Sequence, residues 1–478
     1  MNNLPFALAN LLIALAVAGA IVTAALFLRP VVASRNEPLG FAWALALAAG
    51  ALGYLNLLFL AVGLARSRPA TGLPFPWWTL SMLLLIGGSG AIFFALRCPA
   101  DDSPERPRFC WHCLPAAGLI ALMFGANVCL AFAPYFTSDA LLYHLTVPHL
   151  WLEGGLRALP EIKPSGYPLL VEMLYLIPVS EALPYGARVL HAAFGLGVAA
   201  FIYGFLRDRL TPAGALAFAS AFFVFESVNE VAAWANSDVG RTFFLTGAAA
   251  SLARYAESER RRDLALGAVM AGLALATHYM CLLFGNVLIS LALGVVLLRS
   301  GAGPRRIARD LALFWLLSGA VLAPWLIKDL AHYGQPFFGL EGRNFRIPSE
   351  REIPFFLANV FFLGFGMASV GVLLRQGSAR AEQILALYLL GYLAVGPFEM
   401  PPIHRFFFPI YSAGLMLAGR LAGPVFARRR WLEVALAAVL LVGALQMTYN
   451  HWRNFVFYAP TKFLFDNTPP HRTITWHH

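Results

Sequence analysis

The chain has 478 residues, of which 59% are hydrophobic and only 13% are charged, whereas soluble domains have roughly 45–50% apolar and about 25% charged residues. A soluble globular fold is therefore excluded, because so much apolar surface cannot be hidden from water. Lys and Arg outnumber Asp and Glu by 35 to 25. In a membrane protein this excess is typical of cytoplasmic loops and contact with anionic head groups, so it does not predict a nucleic acid partner.

Long apolar segments recur from the first residues almost to the last. The first, 4–28, lacks the charged leader and the small-residue cleavage site of a removable signal peptide, and we interpret it as a span. The segments are near the roughly 20 residues that cross a bilayer core as a helix, which predicts an all-α polytopic membrane protein with about fourteen transmembrane helices. The predicted spans are 4–28, 39–64, 75–96, 111–133, 183–206, 211–231, 239–256, 264–279, 281–298, 310–327, 353–374, 382–400, 405–422 and 431–449.

The connections between these segments differ in charge. Arg and Lys are concentrated at 254–263, 299–309 and 427–430, and positive charge in short loops marks the cytoplasmic side. We therefore place these three connections inside and the N-terminus outside. The long segments predicted to be extracytoplasmic are 134–182, 328–352 and 450–478.

Ionisable residues of the apolar segments lie almost entirely at the predicted outer helix ends. Such residues are costly at membrane depth and usually have a function, although snorkelling to water and helix capping are the alternative. The middle of the bilayer shows only isolated Asn10, Asn56 and Asn359. The clustering predicts a site at the outer interface. The residues are Arg188, His191, Glu226, Glu230, Asp238, Arg241, His278, Lys328, Asp329, Glu399, His404 and Arg405.

The first outer connection, 134–170, carries the strongest signal. Between residues 139 and 151, apolar residues alternate with Tyr143 and other polar side chains, which predicts a short helix along the membrane surface. Asp139 precedes this helix and either caps it or is a general base for an acceptor hydroxyl. Asp139 and Tyr143 are four residues apart and would share one helix face.

Five stretches lie in or beside the predicted outer connections: FTSDALLYHLTVPHLWLEGG, WANSDVGRTFF at 234–244, ATHYM at 276–280, PWLIKDLAHYGQPFFG at 324–339 and HRFFFP at 404–409. In this order they resemble the outer-loop motifs of the GT-C superfamily of membrane glycosyltransferases. That superfamily includes aminoarabinose transferases, protein O-mannosyltransferases and bacterial relatives of open specificity.

The resemblance implies an inverting glycosyltransferase that moves a sugar from a polyprenyl-phosphate donor to a glycan, lipid or protein acceptor. It also implies a multi-pass protein of a bacterial inner membrane whose active site faces the periplasm. A lipid-linked donor needs no nucleotide-sugar site, and the sequence contains no Gly-rich phosphate-binding loop at the start of a helix.

The resemblance assigns roles to individual residues. Asp139 is the catalytic base. The leaving phosphate needs cationic stabilisation, for which Arg405, His278 and Lys328 are the main candidates and Arg241 is a lesser one. Three further candidates for substrate contacts, each with an ordinary structural hydrogen bond as the alternative, are Asp238, Tyr143 and His144.

The resemblance also divides the chain. Ala140 follows Asp139 where better-known relatives have a second acid, so use of a divalent cation stays open; no metal ligand and no other cofactor is assigned. The predicted parts are extra N-terminal transmembrane helices at 1–100, a GT-C-like core at 101–425 with outer loops 134–182, 232–238 and 328–352, a last transmembrane helix at 426–449, and an extracytoplasmic tail at 450–478.

Two other classes of function stay open. A polysaccharide ligase or polymerase also works on polyprenyl-linked substrates at the outer interface, and relies on Arg and His more than on an early Asp. A transporter or lipid flippase usually shows internal repeats, broken helices and midplane charges, and the sequence shows no convincing repeat and no midplane charge.

Overall fold

A computed structural model describes residues 4–33, 37–65, 77–96, 111–133, 137–338, 360–399, 404–429 and 431–451. These residues form helices and their connections, and none of them lies in a strand. The predicted tail from residue 452 onwards and the part of the predicted loop 328–352 beyond residue 338 lie outside the described residues, as does Asn359.

The described helices follow one another closely along the chain. They are α1 (Leu4–Val32), α2 (Gly40–Ala61), α3 (Trp77–Leu96), α4 (Leu114–Ala131), α5 (Thr146–Gly154), α6 (Leu170–Ser180), α7 (Pro184–Leu206), α8 (Pro212–Ala221), α9 (Glu226–Ala232), α10 (Asp238–Ser258), α11 (Arg261–Leu275), α12 (Leu288–Arg299), α13 (Pro304–Tyr333), α14 (Val360–Leu374), α15 (Arg380–Glu399), α16 (Phe408–Arg428) and α17 (Trp431–His451). Short π-helices at Ala140–His144 and Leu282–Val287 precede α5 and α12.

The protein is a multi-pass helical membrane protein. Within the described residues seven helices are long and apolar enough to cross a membrane, or eight if the bent pair α8 and α9 forms one span. The all-helical, multi-pass prediction is therefore confirmed, and the finer count of about fourteen is not shown by the described residues. The predicted span 264–279, for example, is represented by α11, whose 15 residues reach only about 22 Å at about 1.5 Å per residue.

Helix α1 has a stripe of exposed leucines on one side. Leu4, Leu8, Leu12, Leu15 and Leu26 are each more than half exposed, and they recur at helical spacing on one side of the helix. Such a stripe would be costly in water and is compatible with hydrocarbon.

The N-terminal helices share one hydrophobic core with the rest of the bundle. Trp43 Nε1 of α2 donates a hydrogen bond to Ser251 Oγ of α10 at 2.8 Å. Asn56 Nδ2 donates to the Met173 carbonyl oxygen at 2.8 Å, and Asn10 Oδ1 accepts a hydrogen bond from Gly186 N at 2.8 Å. Asn10 and Asn56 thus make interhelical hydrogen bonds.

Ion pairs join the Arg-rich connections at one end of the bundle. Glu259, between α10 and α11, pairs with Arg306 at 2.9 Å and with Arg380 at 2.8 Å. Arg254 near the end of α10 pairs with Glu37, which precedes α2, at 2.8 Å. The polar connections that follow α4, α9, α11 and α13 meet at the other end, and they form the candidate site.

Candidate functional site

Asp139 lies immediately before the π-helix Ala140–His144, whose wider turn closes with a hydrogen bond from Leu145 N to the Ala140 carbonyl oxygen at 3.0 Å. The side chain of Asp139 makes no capping hydrogen bond, and Thr137 Oγ1 accepts from Ala140 N at 3.3 Å instead. Of the two sequence interpretations, the helix cap is therefore not what the Asp139 carboxylate does here. π-Turns occur frequently at functional sites.

The Asp139 carboxylate pairs with Arg405, which is 266 residues away in sequence. Arg405 Nη2 lies 2.5 Å from Asp139 Oδ2, and the two side chains are 16% and 31% exposed. Arg405 Nε lies 4.0 Å from Asp238 Oδ2, and Asp238 Oδ1 accepts a hydrogen bond from Arg241 Nη2 at 2.8 Å. Two acids and two guanidinium groups therefore alternate at this end of the bundle.

Each guanidinium group has one nitrogen that makes no hydrogen bond to a described residue. The buried Nε atoms of Arg241 and Arg405 have no hydrogen-bond partner among the described residues. The Phe406 ring lies under both guanidinium groups, at 5.7 Å from Arg241 and 5.2 Å from Arg405. Buried donors without a hydrogen-bond partner call for an explanation.

Tyr143 lies beside this cluster and next to His144, which contacts a third acid, Glu172. Its ring is 3.9 Å from the His144 ring, and His144 Nδ1 lies 2.5 Å from Glu172 Oε1 of α6. Burial, followed by the charges of Glu172 and Asp238, raises the pKa of the Tyr143 hydroxyl well above its ordinary value. Tyr143 therefore stays neutral at physiological pH and can donate a hydrogen bond, but it cannot serve as a base.

His278 belongs to a group of aromatic residues beside the charged cluster. The Tyr167 ring lies 5.2 Å from His278 and 6.3 Å from Tyr143. His278 Nδ1 accepts a hydrogen bond from Met280 N at 3.1 Å, and Met280 Sδ lies 3.7 Å from Arg241 Nη1. His278 is thus close to the arginines, with one ring nitrogen occupied by its own connection.

Lys328 is set apart from the charged cluster. Its ammonium group donates to the Ser165 carbonyl oxygen at 2.7 Å and pairs with Asp329 at 2.8 Å. The rings of Trp151 and Trp325 each lie 5.3 Å from Nζ. The side chain is only 3% exposed, so a phosphate would have to displace several existing partners to reach it.

Two residues in this region received no role from the sequence. Arg188 donates to the carbonyl oxygens of Ala133 and Ala233, both at 2.7 Å, and so joins the end of α4 to the connection between α9 and Asp238. Glu172 is completely buried in α6. The signal for Glu172 was available, because it interrupts the apolar run 169–177 and an ionisable residue there is costly.

The structure therefore brings seven of the eight predicted site residues to one end of the bundle in contacting groups, and encloses the eighth, Lys328, beside them. No described His, Cys, Asp or Glu residues form a group of three or more that could hold a metal ion. No protein-family model matches the sequence, and no curated protein is similar to it.

Proposed function

We propose that this protein is a GT-C-like inverting glycosyltransferase, with about fourteen membrane spans, that moves a sugar from a polyprenyl-phosphate donor to an acceptor hydroxyl. The observation that carries the proposal is the Asp139–Arg405 pair beside Asp238 and Arg241. It combines a partly exposed carboxylate, suited to proton removal, with guanidinium groups suited to a leaving phosphate.

The chemistry assigns each group one task. Asp139 takes the proton of the acceptor hydroxyl as the new bond to the anomeric carbon forms. The bond from that carbon to the phosphate oxygen breaks on the opposite face, which inverts the configuration. The negative charge that develops on the leaving polyprenyl phosphate is stabilised by Arg405 and Arg241, whose Nε donors have no hydrogen-bond partner among the described residues.

Donor binding also prepares the base. Arg405 holds Asp139 in the structure, and a phosphate attracts the same guanidinium group more strongly because it carries more charge and more acceptor oxygens. As Arg405 turns to the phosphate, the carboxylate is released for the acceptor. Asp139 therefore becomes an effective base only when the donor is present.

The location of the cluster suits a lipid-linked donor. It lies at one end of an apolar bundle, so the carrier chain can remain in hydrocarbon while the head group reacts at the interface. The Arg-rich connections lie at the opposite end, and the positive-inside rule places that end in the cytoplasm. On this proposal the site faces the periplasm of a bacterial inner membrane, and the acceptor is a glycan, a lipid or a protein.

The test is sugar transfer by purified protein in lipid nanodiscs supplied with radiolabelled polyprenyl-phosphate sugars and candidate acceptors. Asp139→Asn is expected to lower transfer by about 100-fold or more with an unchanged thermal midpoint. Asp208→Asn is the matched control, because Asp208 pairs with Arg254 at the Arg-rich end. Undiminished transfer by Asp139→Asn would remove Asp139 from the role of base.

One observation favours a transporter as the second candidate. Helices α8 and α9 are bent by 72° at a short break, and broken spans are typical of transporter binding sites. Counterflow of a solute in sealed vesicles, with no sugar transfer in nanodiscs, would favour this alternative.

A further inference from the structure

His144 and Glu172 form a buried pair outside the chemistry proposed above. Nδ1 of His144 and Oε1 of Glu172 lie 2.5 Å apart, and the side chains are 3% and 0% exposed. Glu172 Oε2 is buried and has no hydrogen-bond partner among the described residues. A buried carboxylate costs free energy that an apolar residue would save, so its presence needs a reason.

The pair lies beside the charged cluster. His144 belongs to the π-helix that begins directly after Asp139, and its ring lies 3.9 Å from the Tyr143 ring. Tyr175, which is in α6 with Glu172, donates a hydrogen bond to the Asn236 carbonyl oxygen at 2.5 Å. This bond joins α6 to the connection that leads to Asp238 at the start of α10.

The carboxylate–guanidinium pairs of the charged cluster differ from the His144–Glu172 pair in whether they can exchange a proton. Asp139 and Asp238 are bound to guanidinium groups, which do not release protons. A carboxylate bonded to an imidazole, in contrast, fixes which ring nitrogen carries the proton and stabilises the imidazolium that forms when the ring accepts a second one.

We infer that His144, positioned by Glu172, receives the proton that the acceptor hydroxyl gives to Asp139, an inference that rests on the proposed transferase function. Glu172 holds the Nδ1–H of the neutral ring, so Nε2 is the accepting atom. One turn of π-helix separates Asp139 from His144, and the proton passes from the Asp139 carboxyl to Nε2. Asp139 returns to its carboxylate form, the imidazolium is paired with Glu172, and the proton finally leaves to water. Glu172 is thus a positioning residue.

The first part of the experiment needs no turnover. The ¹⁵N resonances of histidine-labelled protein in lipid are compared between the wild type and Glu172→Gln, with the His144 signals assigned by His144→Gln. We expect Glu172→Gln to shift the His144 Nδ1 resonance, whereas Glu181→Gln, at the exposed end of the same helix, leaves it unchanged. An unchanged His144 resonance in Glu172→Gln overturns the inference.

The second part uses transfer. Glutamine keeps the shape of Glu172 and can still hydrogen-bond His144, so a purely structural role predicts normal turnover. We expect Glu172→Gln and His144→Gln each to lower kcat by about 100-fold with the donor KM unchanged, and His149→Gln to match the wild type. Normal kcat in Glu172→Gln overturns the proton-accepting role. If wild-type protein transfers no sugar, the proposed function fails, and the resonance shift still decides whether Glu172 positions His144.

Discussion

Arg405 and Lys328 show how the surroundings separate two cations that have the same predicted role. Arg405 is partly exposed and pairs with Asp139, which is also partly exposed. Lys328 is enclosed by Asp329, the Ser165 carbonyl group and aromatic rings. The planar guanidinium group can also bind a phosphate in two places at once, which an ammonium group cannot. We therefore expect the two residues to respond differently to substitution.

Replacing Arg405 should weaken donor binding. We expect Arg405→Ala to raise the donor KM by about 10- to 100-fold, since a hydrogen bond to a charged group contributes about 1.5–3 kcal/mol. The donor concentration dependence of transfer measures it. Arg375→Ala, in the exposed connection before α15, is the control, and an unchanged donor KM in Arg405→Ala would argue against a phosphate contact.

Replacing Lys328 should instead destabilise the fold. Removing one partner of a buried ion pair costs about 3–5 kcal/mol, because the other charge is left uncompensated. Lys328→Met is therefore expected to lower the thermal midpoint, and Lys328→Met combined with Asp329→Asn should recover part of the loss. A Lys328→Met protein with wild-type stability and a raised donor KM would restore the phosphate role that the sequence predicts.

The elements contribute by bringing their ends together. Arg188 of α7 donates hydrogen bonds to carbonyl oxygens at the ends of α4 and α9, so one side chain joins the end of α4 to the connection that leads to Asp238. Lys or Arg near helix C-terminal carbonyls is favourable because of the helix dipole. Helices α11 and α13 also approach each other closely, and a glycine of α11 lies at their contact.

Gly272 of α11 has no room for a side chain. A Cβ there would lie 2.8 Å from the Ser318 carbonyl oxygen of α13, whereas a Cβ at Gly319 would meet nothing within 4 Å. We expect Gly272→Ala to cost about 1–3 kcal/mol of stability by overpacking. Gly319→Ala should be neutral or gain up to about 1 kcal/mol, because alanine favours helix. Thermal midpoints in one detergent compare the two, and equal values would show that α11 and α13 are not packed this closely.

The whole molecule is polarised from end to end. One end holds the arginine-rich connections and their acidic partners, and the other holds the acids, arginines and aromatic residues of the candidate site. The helices between them are apolar and carry neutral interhelical hydrogen bonds such as that of Asn56. The side of the membrane on which each end lies stays a prediction from loop charge, and it can be tested without knowing any substrate.

Cysteine labelling tests the orientation. In a variant lacking native cysteines, Glu161→Cys and Arg305→Cys place single thiols at exposed positions of the two ends. A membrane-impermeant maleimide should label the first in spheroplasts and the second only after permeabilisation. The opposite result would reverse the proposed orientation, and labelling of both from outside would contradict the separation of the ends.

The sequence by itself determined the features that depend on local composition. The length of the apolar segments predicts membrane-spanning helices. The charge of the loops predicts that the arginine-rich connections lie on one side of the membrane. The positions of Asp139, Asp238 and Arg405 beside helix ends predict that polar residues gather at one end of the bundle. The described helices show seven or eight candidate spans, and the finer count of about fourteen stays a prediction, because an apolar stretch does not fix where a helix breaks.

Only the tertiary structure decided the pairings. The bond between Asp139 and Arg405 joins residues 266 positions apart, and helix packing, which no local pattern encodes, sets their separation. Packing also enclosed Lys328 and buried Glu172 against His144. The physical reason is that hydropathy and charge are properties of each residue and can be read from the sequence. Burial and hydrogen bonding between side chains depend on which helices pack next to each other.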